Sequence, residues 1–193
     1  MSDHIRTYLS EACRIAEQID VETVESLAVE LAALRERGGR LFVLGLGGSA
    51  ANASHAVNDL RRLCGIEAYA PTDNVAELTA CANDDSFTGI FSSWLVGSRV
   101  CLSDAVLVLS VGGGDMERRI SMPLLPIIHQ APALTILAIV GRDGGETAKH
   151  AKVCVIVPPL YPDRVTPHTE AFQSVILHAL VSHPLLQRKA TKW

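Results

Sequence analysis

Imidazole and carboxylate side chains recur at helical spacing in two parts of the sequence. His55 and Asp59 are four residues apart, so on a helix they share one face. Glu170 and His178 are eight residues apart, which is about two turns of a helix. Their side chains can therefore point toward the same region, although they do not lie on the same line along the helix. Such groups bind a divalent metal or work as an acid–base pair. Helix-surface polarity is the competing explanation for His55 and Asp59. His178 lies in an apolar run, which predicts a buried or cleft-lining position and leaves an ordinary core role open.

Two glycine-rich segments follow apolar runs and precede predicted helices. They are 45–49 (Gly-Leu-Gly-Gly-Ser) and 110–115 (Ser-Val-Gly-Gly-Gly-Asp). Backbone N–H groups at a helix N-terminus hold phosphate, so both segments are candidate phosphate sites. A tight strand-to-helix turn is the equally favoured alternative. The first segment matches a dinucleotide-binding fingerprint only in the short form G-x-G-x-x-A, with no acidic residue ending the next strand.

Short, non-alternating apolar runs rich in β-branched residues predict strands that are buried on both faces of a parallel sheet. The predicted strands are 41–45, 105–110, 134–140 and 153–157, with a weaker one at 67–70. Predicted helices lie at 2–37 (a pair), 49–63, 74–96, 115–129, 145–151 and 166–182. The alternation of strands and helices predicts a doubly wound α/β sandwich, which binds ligands beyond the carboxyl ends of its strands.

Length and composition narrow the function classes. The 193 residues carry a net charge of −4 and are 48% hydrophobic, which favours one folded domain over a disordered chain. The mild acidity argues against electrostatic nucleic-acid binding. Prolines interrupt the uncharged stretch 120–141, so it predicts a helix, a turn and a strand rather than a membrane span. The five dispersed cysteines and the lack of a signal pattern predict small buried thiols in a cytoplasmic protein.

Four sequence blocks occur in a specific order. They are Gly-Leu-Gly-Gly-Ser at 45–49, Asn83-Asp84 with Phe91, Gly-Arg-Asp-Gly-Gly at 141–145, and Thr-Glu-Ala-Phe at 169–172 leading to His-Ala-Leu at 178–180. In this order, over nearly the whole length, the chain resembles the sugar isomerase (SIS) domain proteins and, among them, the phosphoheptose isomerases.

The resemblance implies a flavodoxin-like three-layer α/β/α sandwich with a mostly parallel five-stranded sheet. We expect one SIS domain over 1–193, with an N-terminal helical extension at 1–38 and an α/β core at 39–193. The resemblance also implies a homotetramer with active sites at subunit boundaries. The implied reaction is aldose–ketose isomerisation of sedoheptulose 7-phosphate to D-glycero-D-manno-heptose 7-phosphate through an enediol, for nucleotide-activated heptose synthesis. No nucleic-acid or membrane partner is expected.

The resemblance also implies the roles of individual residues. The base and acid of the family fall by position on Asp59 and His178. The zinc ligands of some family members correspond to His55, Asp59, Glu170 and His178, a set that is able to bind zinc. The implied sugar- and phosphate-binding positions are Gly47, Gly48, Ser49, Asn83, Asp84, Ser110, Gly112, Gly113, Gly114 and Glu170.

The sequence departs from the family pattern at two places. Asp59 stands where the family has Glu and is one methylene shorter, a displacement that lowers turnover if nothing compensates. The glycines of 110–115 replace a loop rich in Ser and Thr, and Asp115 either caps its own helix or repels a phosphate there. A non-catalytic SIS module, either a sugar-phosphate binder or a scaffold like a replication regulator, therefore competes with the isomerase. An isomerase of another sugar phosphate is the third hypothesis.

Overall fold

Two helices precede the sheet, α1 (His4–Gln18) and α2 (Val21–Glu36). The protein is represented by a computed structural model that describes residues 3–130 and 133–190. Glu11, buried in α1, accepts hydrogen bonds from Arg164 Nε at 2.8 Å and from His168 Nε2 at 2.9 Å. These bonds lower the pKa of Glu11 to about 2 and attach α1 to the C-terminal part of the fold.

Five parallel strands form one sheet in the order β2-β1-β3-β4-β5, which confirms the predicted flavodoxin-like sandwich. The strands are β1 (Leu41–Leu44), β2 (Ala68–Tyr69), β3 (Ala105–Ser110), β4 (Thr135–Val140) and β5 (Val153–Ile156). All residues of β1 and β3 are buried, because helices cover both faces. That double burial explains the non-alternating apolar runs.

The remaining helices are α3 (Gly48–Asp59), α4 (Val75–Asp84), α5 (Ile90–Gly97), α6 (Leu125–Gln130), α7 (Gly145–His150) and α8 (Val165–Val181). Leu41 and Val43 face a core that is shared with α1, α2, α3 and α8. Phe42 and Leu44 face the opposite core, which is shared with α5 and α6. The sheet therefore separates α3 and α8 from α6.

The predicted helix over 115–129 is wrong in its first half. Asp115 and Ile120 exchange two backbone hydrogen bonds, at 2.9 and 3.0 Å, around a tight turn. Arg119 and Ser121 adopt positive φ there, which a right-handed helix excludes. A short 3₁₀ turn then leads into α6. The predicted helix over 74–96 is likewise divided into α4 and α5 by a 3₁₀ turn, in which the Ser86 hydroxyl accepts from the Gly89 N–H at 3.2 Å.

The uncharged stretch 120–141 contains a 3₁₀ turn, α6 and β4, so its division into a helix, a turn and a strand is confirmed over the part that the structure describes. Residues 131 and 132 of this stretch lie outside that part. Among the described helices, none combines the length and the apolar character that crossing a bilayer requires.

Candidate active site

Helices α3 and α8 lie side by side and run in the same direction. The Glu170 carboxylate, from the second turn of α8, lies against Gly48 at the start of α3, where a side chain would collide with it. One turn further, the Asn52 amide donates to the Glu170 carbonyl at 2.9 Å and to Gln173 Oε1 at 3.1 Å, and accepts from Ser174 Oγ at 2.8 Å. These contacts fix the register of the two helices.

Two turns beyond Gly48, the helix pair brings His55, Asp59 and His178 together, and we call these three residues the first cluster. Asp59 Oδ2 lies 3.2 Å from His55 Nε2 and 3.9 Å from His178 Nε2. The two imidazole centroids are 5.0 Å apart and nearly perpendicular. His178 was expected to be buried or to line a cleft; its side chain is 58% exposed, and it borders a small hollow together with Leu177 and Val181.

Asn58, which sequence reasoning missed, holds the carboxylate of the first cluster. Its side-chain amide donates to Asp59 Oδ1 at 2.8 Å, so Oδ2 is the oxygen that faces both imidazoles. The Asp59 side chain is only 14% exposed. A partly desolvated carboxylate oxygen beside two imidazoles is able to accept a proton, and the imidazoles are able to donate one.

The first cluster also has the donor chemistry of a metal site. One ligand atom from each of its three residues lies within 4.8 Å of the others. Two imidazoles and a carboxylate suit zinc, which protein sites often leave open at a fourth position. Glu170, the fourth ligand implied by the resemblance, lies two turns away at Gly48 in this chain. The structure thus brings together three of the four expected ligands.

A single π-helical turn, Leu60–Cys64, follows Asp59 directly and ends at Gly65 with φ of 65°. Such turns are rare and are frequently found at functional sites. Cys64, the one fully buried cysteine, donates its thiol to the Val181 carbonyl at 3.7 Å. Burial raises its pKa to about 11, so this thiol is a packing group rather than a nucleophile. The expectation of buried thiols is wrong for Cys13 and Cys101, which are exposed.

A cavity of about 260 Å³ opens beyond the carboxyl ends of β1 and β3, where the direction of the strand connections reverses. Its lining includes Ser49, Ser110, Gly112, Ser121 and Thr166. The Ser110 hydroxyl accepts from the Gly113 N–H at 3.0 Å and lies 3.1 Å from the Ser121 hydroxyl. Three of the expected phosphate-binding residues, Ser49, Ser110 and Gly112, therefore lie in one cavity.

Arg142 also lines this cavity and is the cation that sequence reasoning missed there. It lies two residues after the end of β4 and adopts a φ of 51° within the Gly-Arg-Asp-Gly-Gly turn. Among residues 3–130 and 133–190, no carboxylate lies within ion-pair distance of its guanidinium. A guanidinium without an acidic partner suits an anionic ligand.

The glycine loop does not lead into a helix of its own, contrary to the sequence expectation. Instead, the Gly114 carbonyl accepts from the Glu146 N–H at 2.9 Å, and the Gly113 carbonyl accepts from the Thr147 N–H at 2.9 Å and the Thr147 hydroxyl at 2.6 Å. Gly113 and Gly114 thus cap the N-terminus of α7, and Gly112 is the loop glycine that lines the cavity.

Asp115 accepts from the Arg118 N–H at 2.8 Å and so caps a turn rather than a helix. It faces a separate surface hollow beside Glu146, away from the cavity that Arg142 lines. Asn83 and Asp84 are exposed in the last turn of α4, with the Asn83 amide donating to Asp84 at 2.7 Å. Neither lines the cavity or the first cluster within this chain, and their binding role stays a prediction.

The chain is similar to phosphoheptose isomerases over most of its length. It is 30% identical to the phosphoheptose isomerase of Geotalea daltonii over 190 residues, covering 93% of each chain. It is also 30% identical to that of Mycobacterium tuberculosis over 176 residues, covering 86% of this chain and 83% of the relative. A search against family models gave no match.

The solved structure of phosphoheptose isomerase from Neisseria gonorrhoeae superimposes with a TM-score of 0.80 at 25% identity, covering 93% of this chain and 96% of that one. The five-stranded parallel sheet, covered by helices on both faces, is the sandwich of the sugar isomerase domain proteins. Within that class, this chain belongs to the phosphoheptose isomerase family.

Proposed function

We propose that this protein is an aldose–ketose isomerase that interconverts sedoheptulose 7-phosphate and D-glycero-D-manno-heptose 7-phosphate, for the synthesis of nucleotide-activated heptose. The observation that carries the proposal is that α3 connects two different binding features. Its first turn contributes Ser49 to the cavity, and its last turn contributes Asp59 to the first cluster.

The distance between these two features favours a long substrate. Ser49 and Asp59 are ten residues apart, roughly 15 Å along the helix axis. A seven-carbon open-chain sugar with phosphate on its last carbon spans much more of this distance than a triose phosphate does. Family membership points to the same substrate class.

The first cluster provides the two groups that the reaction needs. Asp59 Oδ2 takes the proton from carbon 1 of the ketose while His178 donates a proton to the carbonyl oxygen on carbon 2, which gives the enediol. Asp59 then returns its proton to carbon 2, and the hydroxyl on carbon 1 gives its proton to His178, so carbon 1 becomes the aldehyde and both residues regain their starting protonation. Asn58 keeps Oδ2 directed toward the substrate side by occupying Oδ1.

The cavity provides the phosphate-binding groups. Ser49, Ser110 and the backbone of Gly112 offer hydroxyl and N–H donors, and Arg142 offers a positive charge. Arg142 replaces, in this proposal, the hydroxyl groups that the family loop has and this chain lacks. Asp115 does not oppose binding because it faces a different hollow.

We also propose zinc held by His55, Asp59 and His178 as an alternative state of the first cluster, in which Asp59 Oδ2 and the two imidazoles would be metal ligands instead of transferring protons directly. A bound zinc ion supplies Lewis-acid polarisation of a substrate oxygen. We further propose a homotetrameric, cytoplasmic enzyme formed by one SIS domain. Exposed apolar side chains on α1 and α2, Ile5, Leu9, Val21 and Val29, support association through these helices. Light scattering of the purified protein tests the tetramer.

Turnover of sedoheptulose 7-phosphate by the purified protein tests the proposed reaction, in zinc-supplemented and in chelator-treated buffer. Turnover that is lost with chelator and restored by zinc supports both the isomerase and its metal. Turnover that persists with chelator supports the isomerase and contradicts the metal. Absence of turnover in both buffers contradicts the isomerase, and the non-catalytic binding module then becomes the better explanation.

Arg142→Ala tests the phosphate site separately. We expect a rise in KM of about tenfold or more with a smaller change in kcat, because a charge-assisted hydrogen bond to the phosphate is removed. Arg142→Lys is expected to recover part of the loss. Arg118→Ala is the matched control, since Arg118 is paired with Asp115 outside the cavity. Equal KM values for the Arg142→Ala and control variants would contradict this assignment.

A further inference from the structure

A second group of two imidazoles and one carboxylate lies on α6 and α7. It consists of His129, Glu146 and His150, and we call it the second cluster. We propose that the second cluster is a separate binding site for a divalent transition-metal ion of the zinc class. One ligand atom from each residue lies within 4.8 Å of the others, and small side-chain rotations would bring them within the roughly 4 Å that two ligands of one zinc ion can span.

The hydrogen bonding of His150 prepares one ligand atom. Its Nδ1 lies 3.0 Å from the backbone carbonyl oxygen of Glu146. A carbonyl only accepts hydrogen bonds, so in the neutral ring Nδ1 carries the proton and Nε2 is the nitrogen left to bind a metal. Metal-binding histidines commonly have their other ring nitrogen bonded in this way, which fixes the tautomer and the ring orientation.

The carboxylate of Glu146 divides its two oxygens between different partners. Oε1 accepts from Lys149 Nζ at 2.7 Å, and Oε2 lies 3.5 Å from His129 Nε2. Oε2 therefore remains available to an ion on the side of the imidazoles, while Lys149 orients the carboxylate from the other side. The His129 and His150 ring centroids are 5.5 Å apart, so both rings border the same space.

The surrounding backbone holds two of the three ligands in place. Glu146 and His150 lie one turn apart on α7, whose N-terminus is fixed by the carbonyls of Gly113 and Gly114. His129 reaches them from the last turn of α6. A metal ion at this site would join α6 to α7, on the face of the sheet opposite the first cluster.

Zinc binding by the chelator-treated protein tests the proposal, measured by equilibrium dialysis. The parent for this test is the full chain carrying His55→Gln and His178→Gln, so that the first cluster contributes no zinc. We expect this parent to bind one zinc per chain. Adding His150→Gln should weaken zinc binding by at least about a hundredfold. Adding His183→Gln is the matched control, because His183 is an imidazole with a single carboxylate partner, Glu25 at 3.0 Å.

Two further measurements keep the result interpretable. Circular dichroism confirms that each variant is folded, and the visible absorption of bound Co²⁺ reports direct imidazole and carboxylate ligation in the parent. Zinc should raise the melting temperature of the parent and of the control, but not that of the His150→Gln variant. A parent that binds no zinc, or a His150→Gln variant that binds it as tightly as the control, would overturn the proposal.

Discussion

The first and second clusters contain the same kinds of ligand in different surroundings. Each has one carboxylate and one imidazole four residues apart on a helix, with a second imidazole from a neighbouring helix. The carboxylate of Asp59 accepts a hydrogen bond from the neutral side-chain amide of Asn58, and no Lys or Arg of the described residues pairs with it. The carboxylate of Glu146 is bonded to Lys149. An ammonium partner stabilises the ionised form of a carboxylate, so Glu146 is the less suited of the two carboxylates to take up a proton.

Asp59→Asn makes the largest expected change. We expect turnover of sedoheptulose 7-phosphate to fall by about a thousandfold, because the amide cannot accept the carbon-bound proton. Steady-state kinetics with a matched Glu25→Gln control measures the effect; Glu25 also faces an imidazole, but lies outside both clusters. Turnover of the Asp59→Asn variant within about threefold of the control value would contradict the assignment of Asp59 as the base.

Substituting alanine at Gly113 and at Gly48 compares how much stability depends on the backbone near the second cluster and on the helix pair that carries the first cluster. Gly113 has a φ of 66°, and a side chain there would meet the carbonyl of Gly144, so Gly113→Ala should lower the free energy of unfolding by about 3 kcal/mol. At Gly48 a side chain would meet only the movable Glu170 carboxylate, so Gly48→Ala should cost less than about 1 kcal/mol. Urea denaturation measures both, and equal losses would contradict this reading.

Lys149→Gln tests what distinguishes the second cluster from the first. Removing a positive charge near a bound cation should raise zinc affinity by about fivefold, the effect of one charge near a solvent-exposed site. Titration of the parent used for the dialysis experiment measures the change, with Lys152→Gln as a control because Lys152 pairs with Glu30 instead. Weaker binding in the Lys149→Gln variant would show that Lys149 holds the carboxylate more than it repels the ion.

The same substitution should change the titration of Glu146 in the metal-free protein. The hydrogen bond from Lys149 is the main reason that the pKa of Glu146 is lowered, and His129 adds to the effect. In Lys149→Gln we expect this pKa to rise toward the ordinary range, so the carboxylate takes up its proton at a higher pH than in wild type. Carbon NMR of labelled glutamate measures the shift. An unchanged titration curve would mean that Lys149 does not hold the carboxylate in solution.

The sequence predicts the sheet well because a strand that is buried on both faces consists of a continuous run of apolar residues. The runs that became β1, β3, β4 and β5 are continuous and apolar. The helix predicted from residue 115 failed because Asp115 and Ile120 pair across a turn, a contact that helical periodicity does not record. The π-helical turn after Asp59 also leaves no distinct spacing in the sequence.

The candidate site was predictable where spacing within one helix determines proximity, as for His55 and Asp59. The approach of His178 depends on how α8 packs against α3, so resemblance rather than spacing assigned it to the site. Arg142 was missed because its place in the cavity depends on the backbone turn after β4. Glu170 was expected beside the other ligands, but eight residues of helix keep it at the opposite end of the pair.

Because α3 and α8 run in the same direction, the two ends of the helix pair differ electrostatically and should orient a charged ligand. The first turns of both helices lie at the cavity, so the positive ends of two helix dipoles meet there, and the first cluster lies toward the negative ends. A sugar with one phosphate can place the phosphate at the positive helix ends and its uncharged end at the first cluster in only one orientation. A bisphosphate would place a second phosphate against Asp59 whichever way it entered. We therefore expect a sugar that is phosphorylated at both ends to bind the proposed site more weakly than the monophosphate does.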